Sequence, residues 1–297
     1  MPDTTQATPA TFELRSEHAC FGGVQRFYQH TSHTIGLPMR FAVYLPPAAQ
    51  HGPVSGLVYL AGLTCTEETF TTKAGAQRLA AELGLALIAP DTSPRGANVP
   101  GEAEHWDFGV GAGFYLDATN EPWARHWRME SYLLHELLPS LGKQLPIDSN
   151  RLGITGHSMG GHGALTLALR HPGRFKTVSA FAPICAPSIC PWGIKAFTGY
   201  LGHDRSLWQQ HDASALMAQQ STAPFAHGLL VDQGLADAFL PTQLFPDKLQ
   251  AACQQVGQAL TLRQHPGYDH GYYFVQTFMA DHLHHHARGL NWQAVQV

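Results

Sequence analysis

The chain has 297 residues, of which 44% are hydrophobic and 10% aromatic, enough apolar material for one large buried core. Charged residues make up only 13%, and the formal net charge is -4 at pH 7. This balance excludes the basic surface that nucleic acids or anionic membranes require, so we expect neither as a partner. The five cysteines are an odd number in a chain of this size, which predicts no disulfide framework and a reducing, cytoplasmic location.

The sequence also predicts a soluble protein. Residues 1–15 are rich in Thr, Pro and Ala and lack the basic flank and apolar stretch of a signal peptide. No apolar run approaches the roughly 18 residues that a membrane-spanning helix needs.

Predicted strands and helices alternate along the chain. Short apolar runs predict strands at residues 40–45, 56–61, 85–89, 152–155, 177–182, 228–232 and 260–263. Helical spacing predicts helices at residues 73–83, 127–145, 158–170, 241–256 and 272–286. This alternation indicates an α/β fold, with a mostly parallel central sheet and helices on both faces.

Two long segments lack a regular pattern. Residues 94–122 are interrupted by glycines and prolines, and an ordered loop of this length inside a compact domain is usually functional. Residues 183–226 are expected to form an insertion of loops and short helices. Because no repeat or linker marks a boundary, we predict that residues 1–297 form a single domain.

A serine flanked by glycines lies between a predicted strand and a predicted helix. Residues 156–160 read GHSMG, which matches the pattern G-x-S-x-G of a sharp turn that presents a nucleophile at the top of an α/β-hydrolase sheet. Gly160, Gly161 and Gly163 would let the following helix pack close to the sheet. The alternatives are a chance match or a glycine-rich anion-binding turn at a helix N-terminus. We predict that Ser158 is the nucleophile of an α/β-hydrolase fold.

The acid and the base must follow the nucleophile along the chain. Asp237 lies in the loop after a late strand and is the favoured acid, whereas Asp232 stands at the end of that strand and is the alternative. His270 precedes the last helix and is the favoured base, whereas His265 directly follows the last strand. His270 would take the proton of Ser158, while the acid fixes the imidazole tautomer and stabilises the imidazolium.

Acyl transfer also needs hydrogen-bond donors for the developing oxyanion. One donor should be the backbone N–H of Met159, directly after the nucleophile. The second should come from a loop after an early strand, where Gly62 permits a sharp exit and Leu63 follows it. We therefore predict the backbone N–H groups of Leu63 and Met159 as the oxyanion hole, although an ordinary strand-to-helix turn would have the same local pattern.

Motifs around these residues resemble one known family, the S-formylglutathione hydrolases, also called esterase D. The resemblance covers residues 22–290 and is carried by LAGLTCTEETF, APDTSPRG, WDFGVGAGFYLDAT, GHSMGGHGAL, CPWGIKAFTGYLG, DQGLADAF and YDHGYYF. It implies a serine thioesterase that converts S-formylglutathione to glutathione and formate in formaldehyde detoxification, without cofactor or metal. It also implies a possible homodimer, because the family often forms dimers.

The family's pattern falls on the same residues that chain order favours. The triad is Ser158, Asp237 and His270, and the oxyanion donors are the two backbone amides named above. Two departures stand nearby: Gly271 replaces the usual Ser, and Trp127 replaces the usual Tyr. Neither changes the triad.

The proposed substrate sets requirements for the pocket. A thiolate with a pKa of about 8.5 leaves with little need of a general acid, which suits this machinery. The formyl group is small, so we expect a cramped acyl pocket, with Cys65 and Trp192 as candidate lining residues. Modification of Cys65 should then block the site, unless the thiol is an inert small hydrophobe. Cations for the carboxylates of glutathione would come from the candidate loops, at Lys73, Arg95 and Lys195.

Other interpretations remain open. A broad-specificity short-chain carboxylesterase or an acyltransferase would use the same triad, and a non-catalytic scaffold protein would keep the fold without the chemistry. The shared helical face of His282 and His286 could indicate a metal site. We expect instead that the four histidines His282, His284, His285 and His286 decorate the end of the last helix and bind no metal.

Overall fold

A mixed sheet of nine strands runs through the computed structural model, which describes residues 11–290. The strands are β1 Glu13–Cys20, β2 Gly23–Thr31, β3 Pro38–Leu45, β4 Val54–Leu60, β5 Ala86–Pro90, β6 Ile147–Gly156, β7 Thr177–Phe181, β8 Leu229–Gly234 and β9 Leu260–His265. Their order across the sheet is β1-β2-β3-β5-β4-β6-β7-β8-β9. The ends of the predicted domain, residues 1–10 and 291–297, lie outside the described residues.

The sheet is parallel from β5 onward and antiparallel before it. Strands β5, β4, β6, β7, β8 and β9 pair in parallel, whereas β1, β2, β3 and β5 pair antiparallel. Strands β5 and β7 are buried along their whole length, as expected for apolar strands covered on both faces. The predicted class, a mostly parallel sheet with helices, is confirmed.

Strands β1 and β2 were not predicted from the sequence. β1 is an edge strand with mostly exposed residues, so it needs no apolar side. The buried positions of β2 include Gln25 and His30, and polar residue types at buried positions hide the alternation that marks a strand.

The helices form two sets on the sheet. Helix α5 packs on β6 and β7 and contacts α8, which packs on α9, while α10 packs on β7 and β8 and contacts α2. The α-helices are α1 Glu67–Lys73, α2 Gln77–Glu82, α3 Met129–Ser131, α4 Leu138–Gln144, α5 Met159–Arg170, α6 Pro191–Leu201, α7 Arg205–Trp208, α8 Ala213–Ala218, α9 Pro246–Gln255 and α10 Tyr272–Gly289. In the described part of the chain, no helix has the length and apolarity to cross a membrane.

Two helix predictions differ in detail from the structure. The helix expected at residues 73–83 is two helices, α1 and α2, because Gly75 between them has a φ of +63° that no α-helix allows. Helix α1 begins earlier than expected, at a capping box. The Thr66 side chain accepts a hydrogen bond from a backbone N–H of the first turn, and the Thr69 side chain accepts the backbone N–H of Thr66. The helix expected at residues 127–145 contains a π-helical stretch, Tyr132–Leu137, between α3 and α4.

The parallel strands bring distant loops together. β4, β6, β8 and β9 run in the same direction, so the loops after their carboxyl ends meet at one edge of the sheet. In open α/β sheets this edge is where ligands bind. The four loops carry the predicted oxyanion donor, nucleophile, acid and base, respectively.

Candidate active site

Ser158 stands at a strained turn between β6 and α5. Its backbone has φ 59° and ψ -120°, a conformation that non-glycine residues rarely adopt. The flanking glycines are required by space: a Cβ atom on Gly156 would collide with the carbonyl oxygen of Gly160, and one on Gly160 would collide with that of Leu60. The turn therefore has the geometry of a nucleophile elbow.

Glycines in the first turns of α5 let the helix approach its neighbours. A Cβ atom on Gly161 would lie 2.8 Å from Pro183 Cβ, and one on Gly163 would lie 2.5 Å from the ring of Tyr115. Both distances are too short for real side chains, so these positions accept only glycine without a shift of the neighbour. The amino end of α5 is thereby held against the sheet, directly behind Ser158.

The favoured acid and base are hydrogen-bonded to each other. His270 Nδ1 donates to Asp237 Oδ2 at 2.6 Å, while the other carboxylate oxygen, Oδ1, accepts the backbone N–H of Phe239 at 2.8 Å. Asp237 is buried, and His270 lines a cavity of about 210 Å³ together with Ser158. The carboxylate fixes the imidazole so that Nε2 is left for proton transfer.

The alternative acid and base are paired with each other elsewhere. Asp232 is fully buried and accepts hydrogen bonds from Arg263 at 2.6 and 2.5 Å and from His265 Nε2 at 3.1 Å. These donors hold the pKa of Asp232 well below its ordinary value, against the effect of burial. Neither Asp232 nor His265 is among the residues that line the cavity around Ser158.

Of the two predicted oxyanion donors, Leu63 borders the same cavity, and Met159 directly follows Ser158, which also borders it. Leu63 lines it, and a Cβ atom on Gly62 would lie 3.2 Å from Ser158 Cβ, so glycine permits the close approach of this loop. Met159 follows the serine as the first residue of α5. Within residues 11–290, neither Leu63 N–H nor Met159 N–H has a protein acceptor, so both are available to a substrate oxygen.

Aromatic side chains form the walls of the cavity. Trp192 packs between Trp106, at 5.6 Å between ring centroids, and Phe239, at 4.7 Å. Phe239 also meets the ring of His270 edge-on at 5.0 Å. Trp106 is 55% exposed and comes from the long loop at residues 94–122, which was expected to be functional. The sequence of this loop has no pattern that identifies Trp106 as the residue that reaches the cavity.

The comparisons with known proteins agree with this geometry. A family described as putative esterase matches residues 32–285. S-formylglutathione hydrolase of Mus musculus is 51% identical over 277 residues, which cover 93% of this chain and 98% of that protein. The protein of the same name from Paracoccus denitrificans is 52% identical over 279 residues, 94% of this chain and 98% of its own. The chain belongs to the S-formylglutathione hydrolase family.

A solved structure extends the match to three dimensions. An S-formylglutathione hydrolase from Agrobacterium tumefaciens superposes with a TM-score of 0.90 at 48% identity, and the match covers 94% of this chain and 99% of that one. The α/β-hydrolase fold predicted from the serine motif is therefore confirmed for this member of the S-formylglutathione hydrolase family.

Cys65 borders the cavity of this family member next to Tyr272. Burial raises the pKa of the Cys65 thiol above its ordinary value, although contacts with Thr69 and Tyr272 oppose the shift. Its backbone carbonyl accepts hydrogen bonds from Thr92 Oγ1 at 2.6 Å and from Arg95 at 3.1 Å. The thiol is therefore mostly protonated at neutral pH, while the backbone at this position is firmly held.

His157, the residue before Ser158, was not recognised from the sequence as part of the site. Its buried ring lies 4.6 Å from the ring of His270 and 5.6 Å from that of Tyr272, and in the described residues neither ring nitrogen has a hydrogen-bond partner. Burial and the neighbouring His270 hold the pKa of His157 well below its ordinary value. His157 therefore stays neutral beside the imidazole of His270.

The four histidines expected at the end of the last helix lie in the last turns of α10. His282 and His286 are fully buried, and both contact Ser179 Oγ on β7 at 2.8 Å. His285 is partly buried and contacts the carbonyl of Val178 at 3.1 Å, so only His284 of the four is exposed. Three of the four histidines at this end of the helix therefore face the sheet.

Proposed function

We propose that the chain is a serine thioesterase that hydrolyses S-formylglutathione to glutathione and formate through the triad of Ser158, His270 and Asp237. The observation that carries the proposal is the shared cavity: a strained serine and a histidine paired at 2.6 Å with a buried carboxylate border it, beside the unpaired amides of Leu63 and Met159. Membership of the family supports the choice of substrate.

The first half of the reaction forms an acyl-enzyme. Ser158 Oγ attacks the formyl carbon while His270 Nε2 takes the hydroxyl proton. The carbonyl oxygen becomes an oxyanion, which accepts hydrogen bonds from the backbone N–H groups of Leu63 and Met159. Collapse of this intermediate breaks the carbon–sulfur bond and releases glutathione, whose thiolate takes up the proton from the imidazolium. Asp237 stays ionised throughout and stabilises the imidazolium.

The second half regenerates the serine. Water attacks the formyl ester of Ser158 while His270 accepts one of its protons, and the same two amides hold the oxyanion. Collapse breaks the ester bond, the imidazolium returns its proton to Ser158 Oγ, and formic acid leaves and loses its remaining proton to solvent to become formate. Because the products are formate, a thiol and a free serine, no cofactor is needed to balance the reaction.

The cavity supports a small acyl group. Its volume is about 210 Å³, and the aromatic rings of Trp192, Phe239 and Tyr272 line it. Such a space accommodates a formyl group beside the leaving thiol more readily than a long acyl chain, although an added methylene alone is discriminated only about 10- to 200-fold.

Lys73 is the cation that we assign to a carboxylate of glutathione. Of the three candidates, Arg95 binds Asp91 at 2.7 Å and Lys195 pairs with Asp107. Lys73 has no carboxylate partner within residues 11–290, and its Nζ lies 5.9 Å above the ring of Tyr272, which lines the cavity. A ligand carboxylate near Tyr272 would supply a partner for this cation.

The deciding experiment compares S-formylglutathione with p-nitrophenyl acetate as substrates for the wild type and Ser158→Ala. We expect the wild type to prefer the thioester and the variant to be inactive on both. A preference for the ester would favour a broad carboxylesterase, and transfer of the formyl group to another acceptor would favour an acyltransferase. Failure of a fluorophosphonate probe to label Ser158 would support a non-catalytic scaffold.

We also infer a cytoplasmic homodimer. All five cysteines are free thiols, which suits a reducing compartment, and the family resemblance supports two-fold assembly. Sedimentation equilibrium tests the second point, since a monomer at micromolar concentration would contradict it.

A further inference from the structure

Gln233 is a fully buried glutamine on β8, four residues before the proposed acid. Its side-chain Nε2 donates to Asp237 Oδ2 at 3.1 Å and to the carbonyl oxygen of Gly234 at 3.0 Å. The same Oδ2 atom accepts the hydrogen bond from His270 Nδ1 at 2.6 Å. The amide therefore meets the carboxylate at the atom that faces the base.

The orientation of this amide is determined by its surroundings. Both groups that face it, the carboxylate of Asp237 and the carbonyl of Gly234, are acceptors, so only the nitrogen end can point toward them. The other end, Oε1, is buried and has no hydrogen-bond partner in the described residues. Burying an unpaired oxygen is unfavourable, which indicates that the donor to Asp237 has a use.

The base is held at the same place. A Cβ atom on Gly234 would collide with the carbonyl oxygen of Tyr268 and would lie 2.7 Å from that of Asp269, so the loop that carries His270 rests on the backbone of Gly234. The N–H of Ala236 also donates to the carbonyl of Tyr268 at 2.9 Å. The end of β8 thus supports both loops, and Gln233 is the side chain that links the strand to the carboxylate.

A neutral donor suits this position. The carboxylate must remain ionised when His270 becomes an imidazolium, and a hydrogen bond to the charged form favours that state. A cation in place of the amide would neutralise Asp237 and weaken its hold on the imidazolium. The N–H of Phe239 on Oδ1 and the amide of Gln233 on Oδ2 together fix the plane of the carboxylate.

We propose that Gln233 is a positioning residue of the triad, whose side-chain amide orients the Asp237 carboxylate toward His270 and partly disperses its charge. It does not border the cavity, so it acts through Asp237 and not on the substrate. The inference rests on the proposed function, because it assumes that His270 is the base of the reaction.

The test is the pH profile of kcat/KM for Gln233→Met, which keeps the length of the side chain and removes the donor. Without the donor the charge of Asp237 acts more strongly on the imidazolium, so His270 keeps its proton to higher pH. We expect the acid limb to move up by about half a pH unit to one unit, kcat to fall about tenfold, and KM to stay unchanged. Gln233→Glu places a second carboxylate beside Asp237 and should move the limb further in the same direction.

Gln258→Met is the matched control. Gln258 is also a buried glutamine whose amide bonds backbone groups, those of Phe225 and Ala259, but it is not part of the cavity. Its loss should lower the thermal unfolding temperature and leave the acid limb in place. The other titratable groups around the cavity, His157, Cys65 and Tyr272, are the same in every variant.

Three results would overturn the proposal. One is a wild-type acid limb in both Gln233 variants, and another is a loss of activity that is uniform across pH. The third is a limb that Gln258→Met moves as far as Gln233→Met does. If the wild type itself shows no Ser158-dependent hydrolysis of S-formylglutathione or p-nitrophenyl acetate, the proposed function fails, and the role of Gln233 fails with it.

Discussion

The molecule contains two sets of serine, histidine and aspartate side chains, one at the cavity and one inside the core. In the inner set, His282 Nδ1 contacts Ser179 Oγ at 2.8 Å and His282 Nε2 contacts Asp232 Oδ2 at 3.1 Å. The imidazole is turned the other way in the outer set, where His270 directs Nδ1 at the carboxylate of Asp237. The same three residue types therefore occur twice, with opposite orientations of the histidine.

The surroundings of the two serines differ more than their partners do. Ser179 is fully buried in the middle of β7, and its hydroxyl is shared among Thr155, His282 and His286. Ser158 has a strained backbone, borders a cavity and lies near the amides of Leu63 and Met159, which have no acceptor among residues 11–290. A nucleophile thus needs access, a defined tautomer and donors for the oxyanion, whereas a buried hydroxyl that satisfies its neighbours serves the fold.

The largest difference should appear when each serine is replaced by alanine. Ser158→Ala removes the proposed nucleophile, and we expect kcat to fall by about 10⁶-fold with stability retained. Ser179→Ala should keep kcat within a few-fold but lower the free energy of unfolding by about 1–3 kcal/mol, because His282 and His286 lose a partner. Steady-state kinetics and urea unfolding measure both effects. Comparable losses of activity in the two variants would contradict the distinction.

The two aspartates should separate in the same way. Asp237→Asn leaves the geometry but favours the wrong tautomer of His270, so we expect kcat to fall by about 10⁴-fold in a folded protein. Asp232→Asn leaves the guanidinium of Arg263 without its buried carboxylate, and we expect a loss of roughly 3 kcal/mol in the free energy of unfolding. A stable Asp232→Asn protein with low kcat would instead make Asp232 the acid.

Cysteines in the two regions should differ in their response to alkylation. N-ethylmaleimide on Cys65 would fill the cavity, so we expect more than 90% inactivation, roughly a tenfold loss, since the adduct excludes substrate. Inactivation should be faster at higher pH, because burial raises the pKa of this thiol and only the thiolate reacts. Cys65→Ala should resist the reagent, whereas Cys253→Ala, at a buried position of α9, is the control. Equal inactivation rates for Cys65→Ala and wild type would rule out this site.

Low pH should lower the free energy of unfolding because the histidines around the inner set are buried. Burial and the neighbouring His285 and His282 hold the pKa of His286 well below its ordinary value, so the unfolded chain binds a proton near pH 6.5 that the folded chain does not. Stability should therefore fall as pH drops below about 6.5, by up to about 1.4 kcal/mol per pH unit for each such histidine. His286→Gln should reduce this slope between pH 7 and pH 5 in urea unfolding, while His284→Gln is the exposed control. An unchanged slope in His286→Gln would refute the assignment.

The smallest expected effect concerns the positive charge of Lys73, near the cavity of the outer set. Lys73→Met removes an exposed cation, so KM for S-formylglutathione should rise about fivefold, the size of an exposed ion pair. The kinetics with neutral p-nitrophenyl acetate should not change, and Lys248→Met, on α9, is the control. An equal effect on both substrates would show that Lys73 shapes the cavity and does not bind the carboxylate.

Much of the parallel half of the fold was predictable because its strands are short apolar runs between turn residues. β1 and β2 were not, since an exposed edge strand and a strand with polar residues at buried positions lack that signal. The break at Gly75 was missed because a single glycine in a helical pattern is often tolerated.

The candidate site divides along similar lines. Chain order and strand ends were sufficient to nominate Ser158, Asp237 and His270, because in this fold a loop position implies a role. The contacts of Gln233 and His157 depend on which side chains meet across neighbouring strands and loops, and no local pattern reports that. The same reason explains the buried histidines of α10: their spacing predicted a shared helical face but not that this face meets polar groups on β7.

The left-handed backbone at Ser158 has a consequence for engineering this enzyme. A serine held at φ 59° is strained, whereas a glycine adopts this backbone conformation freely, and such strain costs on the order of 1–3 kcal/mol. Selection of variants for heat resistance alone would therefore favour replacement of Ser158 by glycine, since glycine adopts this backbone without strain and the inactive protein gains stability. A screen for thermostable versions has to read turnover in the same step, or it will enrich proteins that fold better and catalyse nothing.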